Sequence, residues 1–338
     1  MKLLSVCLPS NRGFEASFRS IETALAFCEA RDAVLIVSDN SGDAEKARYW
    51  QGRSSHLNYL ADAPVEPNAN AANAFAAVGT PFIMPMGDDD ELHPDSGHVP
   101  LDLVNLGEDV IGVKPMTELF APGTDLAVRR AYAIDGDAPG LRLRQFFDRN
   151  EGDNTAFYSV FRTGPYLGLR DFFMAHHPTR GAYCDWPMSM ALMMAGKLVF
   201  DPSILFRYNS ASWATQGAID ENAKRLYTNV GLPADFRQYN SLLRAMDLFV
   251  FSSRNGSGIA RDALATVQAN ELSDLFNLGF TIAVEQAGAQ NPALQQLAQK
   301  GIQERNPMVK FLQGAAVLDC FQPGLKAKYI AFLKAASL

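Results

Sequence analysis

The sequence predicts an α/β protein: a mostly parallel sheet flanked by helices, with an added α-helical region at its C-terminal end. Three observations carry this expectation. Short continuous apolar runs alternate with segments of helical periodicity through the N-terminal third, the pattern of strand–helix–strand units. Each strong run stops in a polar loop, acid-rich after the second and third, where an open parallel sheet collects its ligands. Beyond about residue 215 strand candidates cease while helical periodicity continues.

The elements follow in order. Residues 3–8 form a first strand, broken by Pro9-Ser10-Asn11-Arg12-Gly13, and Phe14, Phe18, Ile21, Leu25 and Cys28 then recur at helical spacing. Residues 33–38 form a second strand ending in Asp39-Asn40-Ser41-Gly42-Asp43. A short helix over 44–51 follows, capped by Ser41 or Asp43. A weaker strand at 57–60 leads to an alanine-rich segment, 68–78, closed by Gly79. Residues 81–86 make a third strong run that halts at Gly87-Asp88-Asp89-Asp90. From Asp109 the pattern is mixed, with 110–114 and 127–133 as strands and 156–161 as an apolar-aromatic stretch. Asp185-Trp186-Pro187 opens a helix ended by Gly196, before a strand-like piece at 197–200. Helical periodicity then marks 239–251, 259–276, 292–302 and 308–321, with no internal repeat.

Composition excludes several classes of function. In 338 residues, 30 Lys+Arg stand against 37 Asp+Glu, a net charge of −7, and the longest basic run is Arg129-Arg130, so nucleic acid is not an expected partner. Cys7, Cys28, Cys184 and Cys320 are widely spaced with no CxxC pair, which suggests neither a zinc site nor a disulfide framework and fits a reducing, cytoplasmic setting. The opening apolar run is too short for a signal-peptide core. The richest later stretch, 188–206, is interrupted by Lys197, Asp201 and Pro202, so no transmembrane segment is expected and only peripheral membrane contact stays open.

An acidic chain repels phosphate unless a cation or local dipoles intervene. Asp88-Asp89-Asp90, with Glu91 adjoining, answers this: adjacent carboxylates directly after a buried strand suit a hard cation, Mg²⁺ or Mn²⁺, which bridges to a diphosphate. The plainer alternative is a solvated acidic turn. Asp39 is placed to accept a hydrogen bond from a base N–H or a ribose hydroxyl, although Asp39-Asn40-Ser41-Gly42 also reads as an ordinary turn.

Ser5-Val6-Cys7-Leu8-Pro9-Ser10-Asn11, Val34-Leu35-Ile36-Val37-Ser38-Asp39-Asn40-Ser41, Asn73 in its alanine-rich helix, Phe82-Ile83-Met84-Pro85-Met86-Gly87-Asp88-Asp89-Asp90 and His93-Pro94-Asp95 together resemble a family 2 glycosyltransferase of the GT-A fold. Gly181-Ala182-Tyr183-Cys184-Asp185-Trp186 and Asp201-Pro202 through Phe206-Arg207 are similar to the acceptor half of that family, so the resemblance covers about residues 3–212. It implies a GT-A domain over 1–215, with a nucleotide-binding half at 1–100 and an acceptor half at 101–215. Residues 216–338 are left as a helical region.

The implied reaction is inverting, metal-dependent transfer of one sugar from a nucleotide-diphosphate sugar, with a UDP-sugar as the default donor, to a glycan, lipid-linked or protein acceptor. By the resemblance, Pro9 and Asn11 border the base, and Asp39 holds the nucleoside. Asn73, Asp88 and Arg207 belong to the donor site, Asp89 and Asp90 are the metal ligands, and Asp185 is the catalytic base. Three departures stand out: Gly87 where many relatives carry the first acid of a DxD motif, Cys184 where they carry an acid before the base, and Asn209 where they carry a histidine. Absence of a Gln-x-x-Arg-Trp motif after Asp185 argues for a non-processive enzyme.

For Asp185 the competing reading is a helix N-cap, and for Arg207 a pairing with an acidic neighbour. His176-His177 are expected at the surface. Two other functions stay on the page. A sugar-nucleotide nucleotidyltransferase is disfavoured because the loop 9–14 holds one Gly and one Arg, and a non-catalytic sugar-nucleotide binder or scaffold is kept alive by Cys184 and Asn209. The C-terminal helices are open to three roles: covering the acceptor lobe, pairing in a homo-oligomer, or docking on a membrane or partner.

Overall fold

A strand paired on both edges and covered on both faces has no polar side, which is why residues 4–8 read as an unbroken apolar run. In the computed structural model, which describes residues 2–61, 63, 66–121, 127–287 and 291–337, β1 (Leu4–Ser10) lies between β2 (Val34–Asp39) and β4 (Phe82–Pro85), parallel to both. Beyond β2 lies β3 (Leu57–Leu60), also parallel. Beyond β4 come β8 (Val160–Arg162), β6 (Val110–Phe120), β9 (Lys197–Asn209) and β5 (Glu91–Pro94), giving the order β3-β2-β1-β4-β8-β6-β9-β5, with β7 (Ala127–Arg130) paired to β6. β6 and β9 run parallel, while β5, β7 and β8 join antiparallel. The architecture is the α/β class expected, a sheet flanked by helices with further helices at the C-terminal end.

Helix α1 (Phe14–Ala30) buries Ile21, Ala24, Leu25, Phe27 and Cys28 in the same apolar cluster as Val6, Leu8, Leu35, Val37, Met84 and Leu92. α2 (Ala44–Trp50) is capped by Asp43, whose carboxylate accepts from the backbone N–H groups of Glu45 and Lys46; of the two residues expected, Asp43 is the cap. α3 (Pro67–Ala76) follows β3, with Glu66 as its cap.

Two compact units emerge from Cα packing: Met1–Ala133, Thr155–Leu167 and Lys197–Thr215 form one, and Ile134–Asn154, Gly168–Gly196 and Gln216–Leu338 the other. The first holds the whole sheet. The second holds α4 (Pro139–Asn150), the later part of α5 (Thr163–His176), α6 (Asp185–Ala195), α7 (Gln216–Thr228), α8 (Asn240–Ser253), α9 (Arg261–Ala269), α10 (Glu271–Ala287), α11 (Pro292–Gln303), α12 (Pro307–Asp319) and α13 (Leu325–Ala336). Among the described residues no helix is long and apolar enough to cross a membrane. Cys7, Cys28 and Cys184 are buried thiols and Cys320 is an exposed one.

The helical unit is a core of apolar α-helices around α8, whose residues 245–252 are all buried. Gly279 of α10 meets the backbone of Leu242 so closely that a Cβ would lie 2.8 Å from its Cα, which fixes glycine there. α6 is buried along nearly its whole length, and Arg142 of α4 closes its carbonyl end. The Arg142 guanidinium donates to the carbonyls of Met193 (2.6 Å) and Met194 (2.5 Å), and to that of Gly136 at 2.9 Å.

Several elements differ from the sequence expectation, each for a visible reason. The stretch 259–276 is two helices, because Asn270 leaves helical geometry at φ −109, ψ −92. The strand-like piece at 197–200 continues to Asn209: Asp201-Pro202 sits at a register shift against Pro115/Met116, and an irregularity is where a strand tolerates proline. The strand expected at 127–133 ends at Arg130.

Candidate functional site

Chain order runs outward from β1 to β2 and β3, then returns to the other edge of β1 with β4. At such a reversal the loops after neighbouring strands diverge and leave a crevice beyond their carboxyl ends. Here the crevice is closed by a side chain of the acidic turn. Asp88 Oδ2, after β4, accepts from Ser10 Oγ at 2.9 Å and from the backbone N–H groups of Asn11 (3.1 Å) and Arg12 (3.2 Å), all at the end of β1. Arg12 Nε donates to Asp88 Oδ1 at 3.0 Å and Arg12 Nη2 to Asp89 Oδ2 at 2.7 Å.

The three aspartates are unlike one another. Asp88 is saturated by the β1 loop. Asp90 is 1 % exposed and accepts from the backbone N–H groups of Gly87 (3.2 Å) and Asn209 (2.9 Å). Burial pushes its carboxyl up to about 7, with Asp89 and Asp88 adding to the rise against those hydrogen bonds. Asp89 keeps the largest side-chain exposure of the ion-paired two, 30 % against 12 % for Asp88. Its carboxyl is raised by burial and by Asp88, with Arg12 opposing. A single guanidinium, that of Arg12, pairs with the carboxylates of this turn. Gly87 is packed against the carboxylate of Asp90: a Cβ there would lie 2.7 Å from Asp90 Oδ2.

Asp39 ends β2, is 4 % exposed, and is held from three sides. Lys46 Nζ and the Ser41 backbone N–H each donate to Oδ1 at 3.0 Å, and Tyr59 donates its hydroxyl to Oδ2. Lys46 is fully buried yet satisfied, because it also donates to Ser10 Oγ (2.7 Å) and the Arg12 carbonyl (2.8 Å). Asp39 thus makes the local turn bond to Ser41 and is joined through Lys46 to the β1 loop. Asn73 Nδ2 donates to the buried Ser38 Oγ at 2.9 Å, and Ser38 donates to Asn70 Oδ1 at 2.6 Å. Pro9 sits in β1 opposite Ser38, and Asn11 is exposed at the strand end.

Arg207 lies on β9 opposite Glu91 of β5 and Glu118 of β6, and it pairs with both, at 2.9 and 3.0 Å, above the ring of Phe120. Its guanidinium is committed to these cross-strand acids. His93 pairs with Glu91 at 2.8 Å. Asn209, in place of a histidine, serves the acidic turn through its backbone and caps Ala211 with its side chain at 3.1 Å.

In the helical unit Asp185 is the first residue of α6, and Cys184 occupies the N-cap position with no side-chain cap bond. Asp185 Oδ1 accepts from the Trp186 backbone N–H at 2.8 Å, and Oδ2 from Asn154 Nδ2 at 3.1 Å. Burial pushes its carboxyl up to about 6, against the pull of Asn154, of the Arg244 charge and of the Trp186 amide. The buried Oδ1 of Asn154 meets no donor among the described residues. His177 is buried rather than at the surface, because it is drawn into hydrogen bonds with Asp247 (3.0 Å) and the backbone of Arg180 (2.9 Å).

Arg12, Lys46, Tyr59, Asn154 and Arg244 carry much of this geometry without a sequence signal of their own. Each is an ordinary polar residue until a distant carboxylate is placed beside it.

The sequence matches no family model and no curated protein. Among solved structures it is similar to TarS of S. aureus. Residues 1–349 of that protein align at 12 % identity and a TM-score of 0.41, covering 95 % of this chain and 92 % of that one. The same fragment with UDP aligns at 13 % and 0.40, and with UDP-GlcNAc at 11 % and 0.38, with the same coverage. The functional reading that follows stands on the geometry.

Proposed function

We propose that the chain is an inverting, metal-dependent, non-processive glycosyltransferase that moves one sugar from a nucleotide-diphosphate sugar to an acceptor hydroxyl, with residues 1–215 as its GT-A stretch. The observation that supports this most is the convergence of Asp39, Asp88 and Asp89 with the β1 loop at the carboxyl ends of β1, β2 and β4, where the strand order reverses. In this reading Pro9 and Asn11 border the base and Asp39 holds the nucleoside, with Asn73 shaping that wall through Ser38. Asp88 fixes the loop around the ribose. Asp89 is the first ligand of Mg²⁺ or Mn²⁺, which when bound neutralises the diphosphate leaving group. Asp90 sets the turn from beneath and completes the metal set. The exposed Arg12 is the cation nearest these acids, and Arg207 reaches a phosphate only by leaving Glu91 or Glu118.

Asp185 takes the proton of the acceptor hydroxyl as its oxygen attacks the anomeric carbon and the diphosphate departs. A carboxyl raised to about 6 remains ionised at neutral pH and is a stronger base than an exposed aspartate. The default donor is a UDP-sugar, and the acceptor a glycan, lipid carrier or protein of surface-polysaccharide or glycoconjugate synthesis.

The test is to incubate the protein with a panel of nucleotide sugars and follow nucleoside diphosphate release with and without Mn²⁺. Release that needs Mn²⁺ is expected. No binding of any nucleotide sugar under either condition overturns the proposal.

A further inference from the structure

Directly before Asp185, within the helical unit, lies a buried polar cluster that the proposed reaction does not use. His177 Nε2 and Asp247 Oδ1 are 3.0 Å apart, Cys184 Sγ is 3.4 Å from His177 Nε2 and 3.5 Å from Asp247 Oδ2, and Tyr329 donates its hydroxyl to Asp247 Oδ1 at 2.8 Å. All four residues are buried.

A histidine, a cysteine and an aspartate at such spacings also suit a tetrahedral cation. The imidazole decides against it. Nδ1 accepts from the backbone N–H groups of Thr179 (3.2 Å) and Arg180 (2.9 Å), so the ring proton sits on Nε2, facing Asp247, and a protonated ring nitrogen has no lone pair for a metal. Burial and the neighbouring Asp247 push the Cys184 thiol up, so it stays protonated and donates to that carboxylate. Asp247 is thus a triple acceptor that ties the end of α5, the start of α6 and α13 to α8.

One turn earlier on α8, Arg244 lies over the ring of Trp186, 4.1 Å from its centroid. Residues 244 and 247 share a helix face, and they hold the two neighbours of Asp185 in sequence: Asp247 holds Cys184, and Arg244 holds Trp186. Trp186 supplies the amide that Asp185 Oδ1 accepts from. We propose that this face of α8 is the positioning element for Asp185, with Asp247 and Arg244 as positioning residues and Tyr329 of α13 locking Asp247 in place. The inference rests on reading Asp185 as the base. It gives the C-terminal helices a part in the reaction.

The test uses the full chain labelled with ¹³C-carboxyl aspartate, the Asp185 signal being assigned with Asp185→Asn and titrated against pH. The ionisable groups facing it are Arg244, Cys184 and Tyr227. In wild type the midpoint is expected near 6. Asp247→Asn, or Cys184→Ala where the first does not fold, frees the α6 start and admits water, so the midpoint falls by about one pH unit toward an exposed aspartate. Cys184→Ser keeps a donor to Asp247 and restores the wild-type midpoint. A folded Asp247→Asn or Cys184→Ala variant with an unmoved midpoint overturns the inference. The titration needs no substrate, so this failure is separate from failure of the base assignment, which full transfer by Asp185→Asn would expose, and from failure of the glycosyltransferase reading, which absence of nucleotide-sugar binding would expose.

Discussion

The acidic turn after β4 and the start of α6 both present aspartate, and they teach how far surroundings decide what a carboxylate does. At the turn, Asp88 and Asp89 share one arginine, and Asp90 is backed by two amides, so carboxylates are crowded against a single positive charge. At α6, Asp185 stands alone, with one side-chain amide and one backbone amide, and burial leaves it a moderately strong base.

Five measurements break or sharpen this contrast. The largest effect is expected from Asp185→Asn: transfer falls by about 10²- to 10⁴-fold while nucleoside diphosphate affinity, measured by calorimetry, is unchanged. Loss of binding with transfer retained would invert the assignment. Next, Asp89→Ala should weaken Mn²⁺-dependent nucleotide binding by about a hundredfold, and equal binding with and without Mn²⁺ in wild type would remove the contrast altogether.

The pH profile comes third. The base must be ionised, so kcat/KM should rise with pH through about 6, and the same rise persisting in Asp185→Asn would remove Asp185 from that role. The same raised value has a stability counterpart. The folded state holds the Asp185 proton more tightly than the unfolded one, so the stabilisation from that proton is present at low pH and is lost as pH rises through about 6. Asp185→Asn should therefore gain in Tm relative to wild type above that pH, and a relative gain confined to lower pH would contradict the burial behind it. The smallest effect belongs to Asn73→Ala, which removes the hydrogen bond to Ser38 and should cost about 1 kcal/mol in urea unfolding; a loss confined to nucleotide affinity would make Asn73 a direct ligand.

Legibility in the sequence followed the range of the interactions involved. Asp43 was readable as a cap because its partners are two and three residues away. The end of β2 at Asp39 and the acidic turn after β4 were readable because apolar runs stop there. Lys46 was not: on a short helix it reads as a solvent-facing charge, and only three acceptors from β1, its loop and β2 make its burial stable. Arg244 and Asp247 were invisible for the same reason, their partners lying on α6 and its approach. α5 was hidden by Thr163-Gly164-Pro165, which reads as a turn although a proline within the first turn is compatible with a helix.

The chain passes between its two units five times before α7, and that path has a consequence for synthesis. Every piece of the sheet unit has been made once Thr215 is joined, but α6 is made well before the α8 that lies against it. At about 5–20 residues per second, the methionine-rich surface of α6 waits a few seconds for its cover. During that interval a nascent chain can carry a completed sheet unit while α6 is still an open apolar helix. A chaperone acting on this protein would find its work there, and ribosome-bound chains halted between residues 215 and 240 should show it as protease-sensitive.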